Sequence, residues 1–449
     1  MVIAVVLWLA LSLASGVALT RLLTQREEWD ATLGTAILLG ISTQAGALFL
    51  MDLAGLHWSR PGLIVMLLAV TVGALAARRG QPGGQATGVR PGVTWMSALA
   101  NGVTIVLVAG YASFSVVSIG GENDYIGIWG VKARMFFEAK GLDMTFLTLP
   151  ANDYVHPDYP ILLPLAFDSI ALVSAKWDER MFAIVYPLVA LATILSARAA
   201  LRREGASSTL TAVGTLALTP AALSPWIGLA EGPLLAFSAV GLLRARGALR
   251  DGTSLAPAAV LLGLGASVKN EGLSLLVAAV IAAICLSKRS RWRTVLAFWP
   301  AVAVIAPWSL LRSMRGLDSY FARGALADRV LSGLEADRIA TVARLIAQST
   351  PIDWVTLVGL GVALAVAGRR IASEKYLISA VAIQISFFVG AYLISPFALD
   401  WHIRWSWERL MSQIAFPLQF VCIAGLVSVF GAIAQVGMDH PAQRQRELG

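Results

Sequence analysis

Glu122 and Asp124, two acids two positions apart, open a polar stretch that runs from Gly121 to Pro164 in an otherwise apolar chain. A carboxylate within hydrogen-bond reach of a hydroxyl or amine can take its proton while that group attacks an electrophile. Asp124 is the first candidate for such a base and Glu122 the alternative, because the spacing does not choose between them. The same segment, through Asn123 or Asp124, would also serve simply to cap a helix starting near Ile126. Further along, HPDYP holds His156, Asp158 and Tyr159 between prolines. Pro157 and Pro160 restrict the backbone and would fix the directions of these side chains. Asp158 suits a sugar hydroxyl, an amine or a divalent cation; the plainer reading is a surface turn.

Basic residues accompany the acids. Lys132 and Arg134 would neutralise charge building on a leaving phosphate, or only attract anionic lipid headgroups. Lys269 lies in a short turn, KNEG, between apolar runs. A lysine there must snorkel or pair, with Glu271 nearest, or contact a phosphate or sugar. Glu231 precedes Gly232-Pro233, where an acid in a first helical turn is favoured by the helix dipole in any case. Asp400, His402, Arg404, Glu408 and Arg409 crowd a late loop with Trp401, Trp405 and Trp407. Phosphate contact and a Trp/Arg interface belt are the two readings there. A metal site needs several converging oxygens; Glu122, Asp124, Asp158 and Glu231 are the candidates, so no cofactor is certain and a divalent cation stays open.

The elements that must position these residues are membrane helices. Hydrophobic residues make up 57% of the 449 and charged residues 14%, with a mean hydropathy of +0.72. Apolar windows recur near 2–20, 32–54, 61–77, 94–117, 180–199, 208–226, 232–244, 254–268, 271–287, 294–312, 352–368, 376–396 and 410–434. That is about thirteen, most of them near the length that spans a bilayer. Only helices satisfy their backbone within lipid without closing a barrel, so the expected class is an all-α polytopic membrane protein. The first window lacks a basic flank and a cleavage site and is expected to be retained.

Short loops with Arg78/Arg79/Arg90, Arg202/Arg203, Arg244/Arg246/Arg250, Lys288/Arg289/Arg291/Arg293 and Arg369/Arg370/Lys375 fall on one side if the windows alternate. Basic short loops mark the cytoplasm, which puts the N-terminus outside, the C-terminus inside and the 118–179 and 313–351 loops outside. The net charge of +8 is then a record of topology and gives no argument for nucleic acid. Trp129, Ala133, Phe136 and Phe137 share a helical face with Lys132 off it, which predicts an amphipathic helix on the membrane surface. Ile161–Leu172, broken by Asp168, reads as a second juxtamembrane helix, and 313–351 as one or two more. Trp58, Trp177, Trp226, Trp308, Trp354 and Trp401 sit near predicted outer ends, as an aromatic belt would. Cys285 and Cys422 lie in apolar windows and read as core residues. There is no Walker loop, GxGxxG after a strand, HExxH or CxxC, so nucleotide-driven chemistry loses support.

Five segments together resemble the GT-C glycosyltransferases that use polyprenyl-phosphate sugars, the class of the protein O-mannosyltransferases and the lipid A aminoarabinose transferase. GGENDYIGIWGVKARMFFEAKG is similar to that family's acidic motif and following helix. DYVHPDYPILLPL, with Tyr154, His156 and Tyr159, is similar to its tyrosine/histidine-proline motif, although this chain has His-Pro-Asp where His-Pro-Pro is common. GLAEGPLLAF and GASVKNEGL, then WHIRWSWERLMSQIAFPL, resemble its later acidic, Lys-Glu-Gly and Arg-Leu motifs.

The resemblance implies a GT-C module over 94–434, preceded by three extra helices and a basic loop in 1–93 and followed by a cytoplasmic tail, 435–449. It implies a bacterial inner-membrane enzyme with its site at the periplasmic face. A polyprenyl-phosphate-linked sugar would be the donor and a glycan, lipid or protein the acceptor, with membrane lipids as surroundings. Asp124 would be the base, Arg409 (or Arg404) the late arginine near the lipid phosphate, and displacement direct and inverting. A transporter or flippase of lipid-linked glycans, a ligase or polymerase, and a non-catalytic assembly factor are the rival readings.

Overall fold

Every described element is helical or a turn, as a chain with this hydropathy requires where water cannot satisfy its backbone. The computed structural model describes residues 2–24, 28–78, 92–317, 326–350 and 354–447. Seven of these helices are long and apolar enough to cross a membrane: Ile3–Leu23, Trp29–Leu53, Arg60–Arg78, Trp95–Gly121, Glu179–Arg203, Lys375–Leu393 and Leu399–Ile433. The windows at 208–226, 254–268 and 271–287 fall on helices of 16, 11 and 16 residues. The 232–244 window lies within Glu231–Asp251, whose far end carries Arg244, Arg246 and Arg250. Most of the basic loop at 78–93 lies outside the described residues.

Burial separates central from peripheral helices. In Trp29–Leu53, 72% of the apolar window is buried inside the protein, against 11% in Trp95–Gly121. The first therefore packs in the middle and the second presents most of its surface outward. Trp29–Leu53 lies against Val2–Leu23, Leu162–Ser174 and Val185–Arg203. The first two helices approach closely because both are small where they cross. A Cβ on Gly40 would stand 2.1 Å from the Ser12 carbonyl oxygen, so only glycine fits; small residues let helices meet backbone to backbone in lipid. Polar side chains close the same seam. Gln44 Nε2 donates to the Trp8 carbonyl at 3.0 Å and to Ser12 Oγ at 2.5 Å, and Trp8 Nε1 donates to Ser169 Oγ at 2.8 Å. The first helices and the loop that follows the fourth thus share one core.

The apolar face of that loop's helix packs on protein. Trp129, Ala133 and Phe136 are fully buried, and so is Lys132, which the helical pattern put off the apolar face. The Gly130–Ala139 helix packs against Leu162–Ser174, which is itself almost wholly buried. The apolar residues of the amphipathic pattern are thus covered by protein, while Arg134 and Glu138 stay exposed. The aromatic belt also divides: Trp226 and Trp401 are exposed, whereas Trp58 and Trp308 are buried, Trp58 donating to the Leu48 carbonyl at 2.9 Å. Cys285 is exposed and Cys422 half-buried, so neither is a core residue. In the 313–351 loop, Leu326–Gly333 and Ala336–Ser349 form two short helices. Residues Asp400 to Arg409 belong to no loop: one helix runs from Leu399 to Glu447 and takes in the expected tail as far as that residue.

The basic connections collect at one end. Asp30 pairs with Arg198 at 3.2 Å and Arg202 at 2.7 Å; Arg246 pairs with Glu204 at 2.7 Å and with Glu374. At the other end, Asp52 Oδ1 accepts from Leu142 N–H at 2.7 Å and the Lys140 carbonyl accepts from Trp58 N–H at 2.9 Å. These bonds tie the early loop to the first three helices.

Gly40→Val should force the first two helices apart. The expected loss is about 1–3 kcal/mol, the usual cost of overpacking a tight seam, read as a lower thermal midpoint in detergent. An unchanged midpoint would mean that the contact does not support the fold.

Candidate functional site

The chain threads four separated segments through one end of the bundle, and each delivers a charge. The 3-10 turn Ile119–Gly121 ends the fourth helix, and a single π-helical turn, Tyr125–Trp129, follows Asp124. Such turns are rare and re-aim side chains. Room for this turn comes from Gly228. Its φ of +94° suits glycine, and a Cβ there would stand 2.7 Å from that of Glu122. Glu231 is the first residue of its helix, Glu271 the first of another, and Lys269 lies in the turn before it. Arg409 comes from the third turn of the long last helix.

These charges meet. Arg409 Nη2 donates to Asp124 Oδ2 at 2.5 Å, and its Nε donates to Glu231 Oε1 at 2.9 Å. The same Glu231 oxygen accepts from Lys269 Nζ at 2.9 Å, and Lys269 pairs with Glu271 at 3.0 Å. Glu231 is 1% exposed and its Oε2 has no hydrogen-bond partner. The carboxylates of Glu231 and Glu271 raise the Lys269 pKa despite burial, so it stays a cation. Asp124 makes no capping bond with its side chain, and its oxygen is used by Arg409 instead.

A second group adjoins the first. Asp158 is 2% exposed and accepts from Asn270 Nδ2 at 2.9 Å, while its backbone carbonyl accepts from Arg312 at 3.2 Å. Burial raises its pKa, against the pull of Asn270, Lys132 and Arg312. Asn270 neighbours Lys269, so HPDYP and KNEG form one surface. Lys132 Nζ donates to the His156 carbonyl at 2.6 Å and lies over the rings of Trp129 and Tyr159, 5.4 and 5.6 Å from their centroids. His156 stacks on Tyr159 at 4.5 Å with its backbone in the left-handed region, φ 52°. Burial, then the cations Lys132 and Lys269, lowers the His156 pKa to about 4, so the ring is neutral at pH 7.

Three expected residues stand apart. Arg134 is exposed and pairs with Glu138, its guanidinium 5.3 Å from the Trp177 ring centroid. Tyr154 is exposed on the surface. Arg404 pairs with Asp400 at 2.8 Å, both exposed, one turn along their own helix. A residue on the same helix as a site residue need not share its face. Glu122 is half-buried and accepts from the next amide, Asn123 N–H, at 3.1 Å, outside the Arg409 network. The four acids named as metal ligands do not form a donor set. Among the described residues, no group of three or more His, Cys, Asp and Glu is arranged to hold a metal ion. Asn270 and Arg312 escaped the sequence reading. Asn270 had a signal, being next to Lys269; Arg312, at the end of an apolar window, had only its charge.

Two outcomes follow from the burial of these charges. Glu231→Leu leaves Lys269 and Arg409 without their shared carboxylate and should cost about 3–5 kcal/mol, as breaking a buried pair does, whereas Arg134→Gln should leave the midpoint unchanged. Burial lowers the Lys132 pKa from 10.5 to about 7, partly offset by Asp158. Between those values the unfolded chain binds a proton that the folded chain gives up, so stability should rise with pH across the window. Unfolding midpoints of wild type and Lys132→Met, compared from neutral to alkaline pH, should show wild type gaining on the variant; parallel curves would remove the buried lysine from the account.

The chain matches no protein-family model, no curated protein and no solved structure.

Proposed function

We propose that the chain is a membrane glycosyltransferase. It moves a sugar from a polyprenyl-phosphate carrier to a hydroxyl or amine on a glycan, lipid or protein, at the Asp124 end of the bundle. One observation carries the reading: Arg409 joins Asp124 to Glu231 and, through it, to Lys269, at the ends of apolar helices. A carboxylate and two cations within one network are what a phosphate-leaving displacement needs. The acceptor oxygen or nitrogen attacks the anomeric carbon from the side opposite the phosphate. The bond from that carbon to the phosphate oxygen breaks, its electron pair leaves with the carrier, and Asp124 takes the acceptor's proton. Direct displacement inverts the anomeric carbon.

The cations have a second task. Arg409 is already neutralised by Asp124 and Glu231, so an arriving phosphate must compete with carboxylates for it. When phosphate wins, Asp124 loses its partner and becomes available to the acceptor. Donor binding and freeing of the base are then one event. Neutral His156 and Tyr159 form a stacked wall beside this point, and Asp158 with Asn270 offers a hydrogen-bonding edge suited to sugar hydroxyls.

The positions of the charges favour this over transport. Glu231 and Glu271 begin helices and Lys269 lies in a turn, whereas a carrier path needs charge within the spans. The basic connections at the opposite end support a cytoplasmic location for that end, by the positive-inside tendency. The site then faces the periplasm of a bacterial inner membrane, with the N-terminus outside.

In proteoliposomes supplied with extracted polyprenyl-phosphate sugars, mass spectrometry of the freed carrier reads turnover. Asp124→Asn should lower it about 10²–10⁴-fold, the range of a lost general base, while Glu122→Gln should stay close to wild type. Normal turnover in Asp124→Asn would overturn the assignment of the base. A wild-type protein that releases no carrier from any donor would overturn the transferase itself.

A further inference from the structure

A cavity of about 330 Å³ opens at the end of the bundle opposite Asp124, lined by Arg246, Arg250, Arg370, Lys375, Glu204, Glu374, Ser373, Ser428 and Tyr376 among others. Two helices measure its separation from the first site. Arg246 lies fifteen residues beyond Glu231 and Ser428 nineteen beyond Arg409, roughly 22 and 28 Å at 1.5 Å per residue. It is a different place with a different charge balance.

Arg246 is the fixed element. It is buried, its guanidinium pairs with Glu374 and with Glu204 at 2.7 Å, and it lies 5.6 Å from the Phe420 ring centroid. Glu204 also accepts from Arg250 at 2.7 Å. Both carboxylates are therefore committed to Arg246 and Arg250. Arg370 and Lys375 line the same cavity and have no acidic partner among the described residues. Four basic and two acidic side chains leave a surplus of two positive charges. Tyr376 is 6% exposed, and its hydroxyl has no hydrogen-bond partner. A buried hydroxyl left unsatisfied costs stability, and Tyr376 is among the residues that line this cationic cavity. Ser373 and Ser428 also line it, the Ser373 hydroxyl donating to the Arg370 carbonyl at 2.6 Å.

We propose that this cavity binds a phosphate group, with Arg370 and Lys375 supplying the charge and Tyr376 a hydrogen bond. The surplus matches a phosphate monoester dianion, and the volume lies within the range of small-molecule sites. The phosphate has two sources of the same chemistry: the headgroup of an anionic lipid reaching in from the adjoining leaflet, or a soluble phosphate compound.

Full-length wild type, Arg370→Gln/Lys375→Gln and Tyr376→Phe are compared in two measurements. Thermal unfolding in detergent is followed while inorganic phosphate replaces chloride at constant ionic strength. Native mass spectrometry then reads the lipid retained from nanodiscs of phosphatidylcholine doped with phosphatidic acid. Wild type should be protected saturably by phosphate if the ligand is soluble, or retain phosphatidic acid over phosphatidylcholine if it is a lipid. The double variant should weaken that binding about tenfold or more, the cost of a lost charge-assisted bond. Tyr376→Phe keeps the shape of the core and should weaken binding several-fold. The proposal fails if wild type shows neither effect, or if Tyr376→Phe and the double variant both match it.

Discussion

The shared carboxylate of Glu231 is the interaction on which the rest of this end depends. It is almost wholly buried, and two cations from distant parts of the chain converge on one of its oxygens. An isolated charge there would be prohibitive, so Glu231, Lys269 and Arg409 must arrive together or not at all. Arg409 then reaches Asp124, and through that contact the last long helix fixes the start of the first long loop. Four helix ends are thereby held in register by charge, in a region where apolar packing alone would let them slide. The same network leaves little unbalanced charge. In the proposed transfer a phosphate would enter by exchanging partners with a carboxylate already present, which would couple donor binding to the base.

The loop that carries Asp124 needs support of another kind. A loop that lay on lipid would move with it. This one is enclosed: its helix packs on Leu162–Ser174, which packs in turn on the first two helices, and Asp52 and Trp58 bond its backbone. The first three helices share a core with the site loop and hold it in place, whatever else they do. Asp168 shows how far this enclosure goes. It is fully buried among apolar neighbours, neither of its oxygens has a partner, and burial raises its pKa well above the usual carboxylate range. Such a group is tolerated only uncharged.

Much of this was legible in the sequence because hydropathy and charge are local signals. The helical windows, the basic connections at one end and the set Asp124, His156, Asp158, Glu231, Lys269 and Arg409 all stand out as polar residues in apolar surroundings. Partner choice was not legible. KNEG suggested Lys269 with Glu271, and that pair forms, but the shorter contact is with Glu231, thirty-eight residues away. Arg404 and Arg409 look equivalent along the chain; five residues on a helix turn them to different faces, and only Arg409 meets the acids. Lys132 is the clearest failure. Helical periodicity placed it off the apolar face because periodicity reports one interface, whereas this helix is enclosed on more than one side.

The two ends differ in a way that bears on what each can do. At the Asp124 end Lys269 and Arg409 are both paired with carboxylates of the cluster, so binding an anion to them means breaking pairs. At the Arg246 end the carboxylates are used up on two arginines, and Arg370 and Lys375 remain over. Binding an anion there adds bonds without removing any. In the proposed transfer the first arrangement would suit a substrate released after each turnover, since the re-forming pairs would help to expel it. The second suits a ligand that stays. Glu231–Asp251, Glu271–Leu286 and the last long helix each run from one end to the other. A resident ligand at the far end would therefore brace the same three helices whose opposite ends, or early turns, carry Glu231, Glu271 and Arg409.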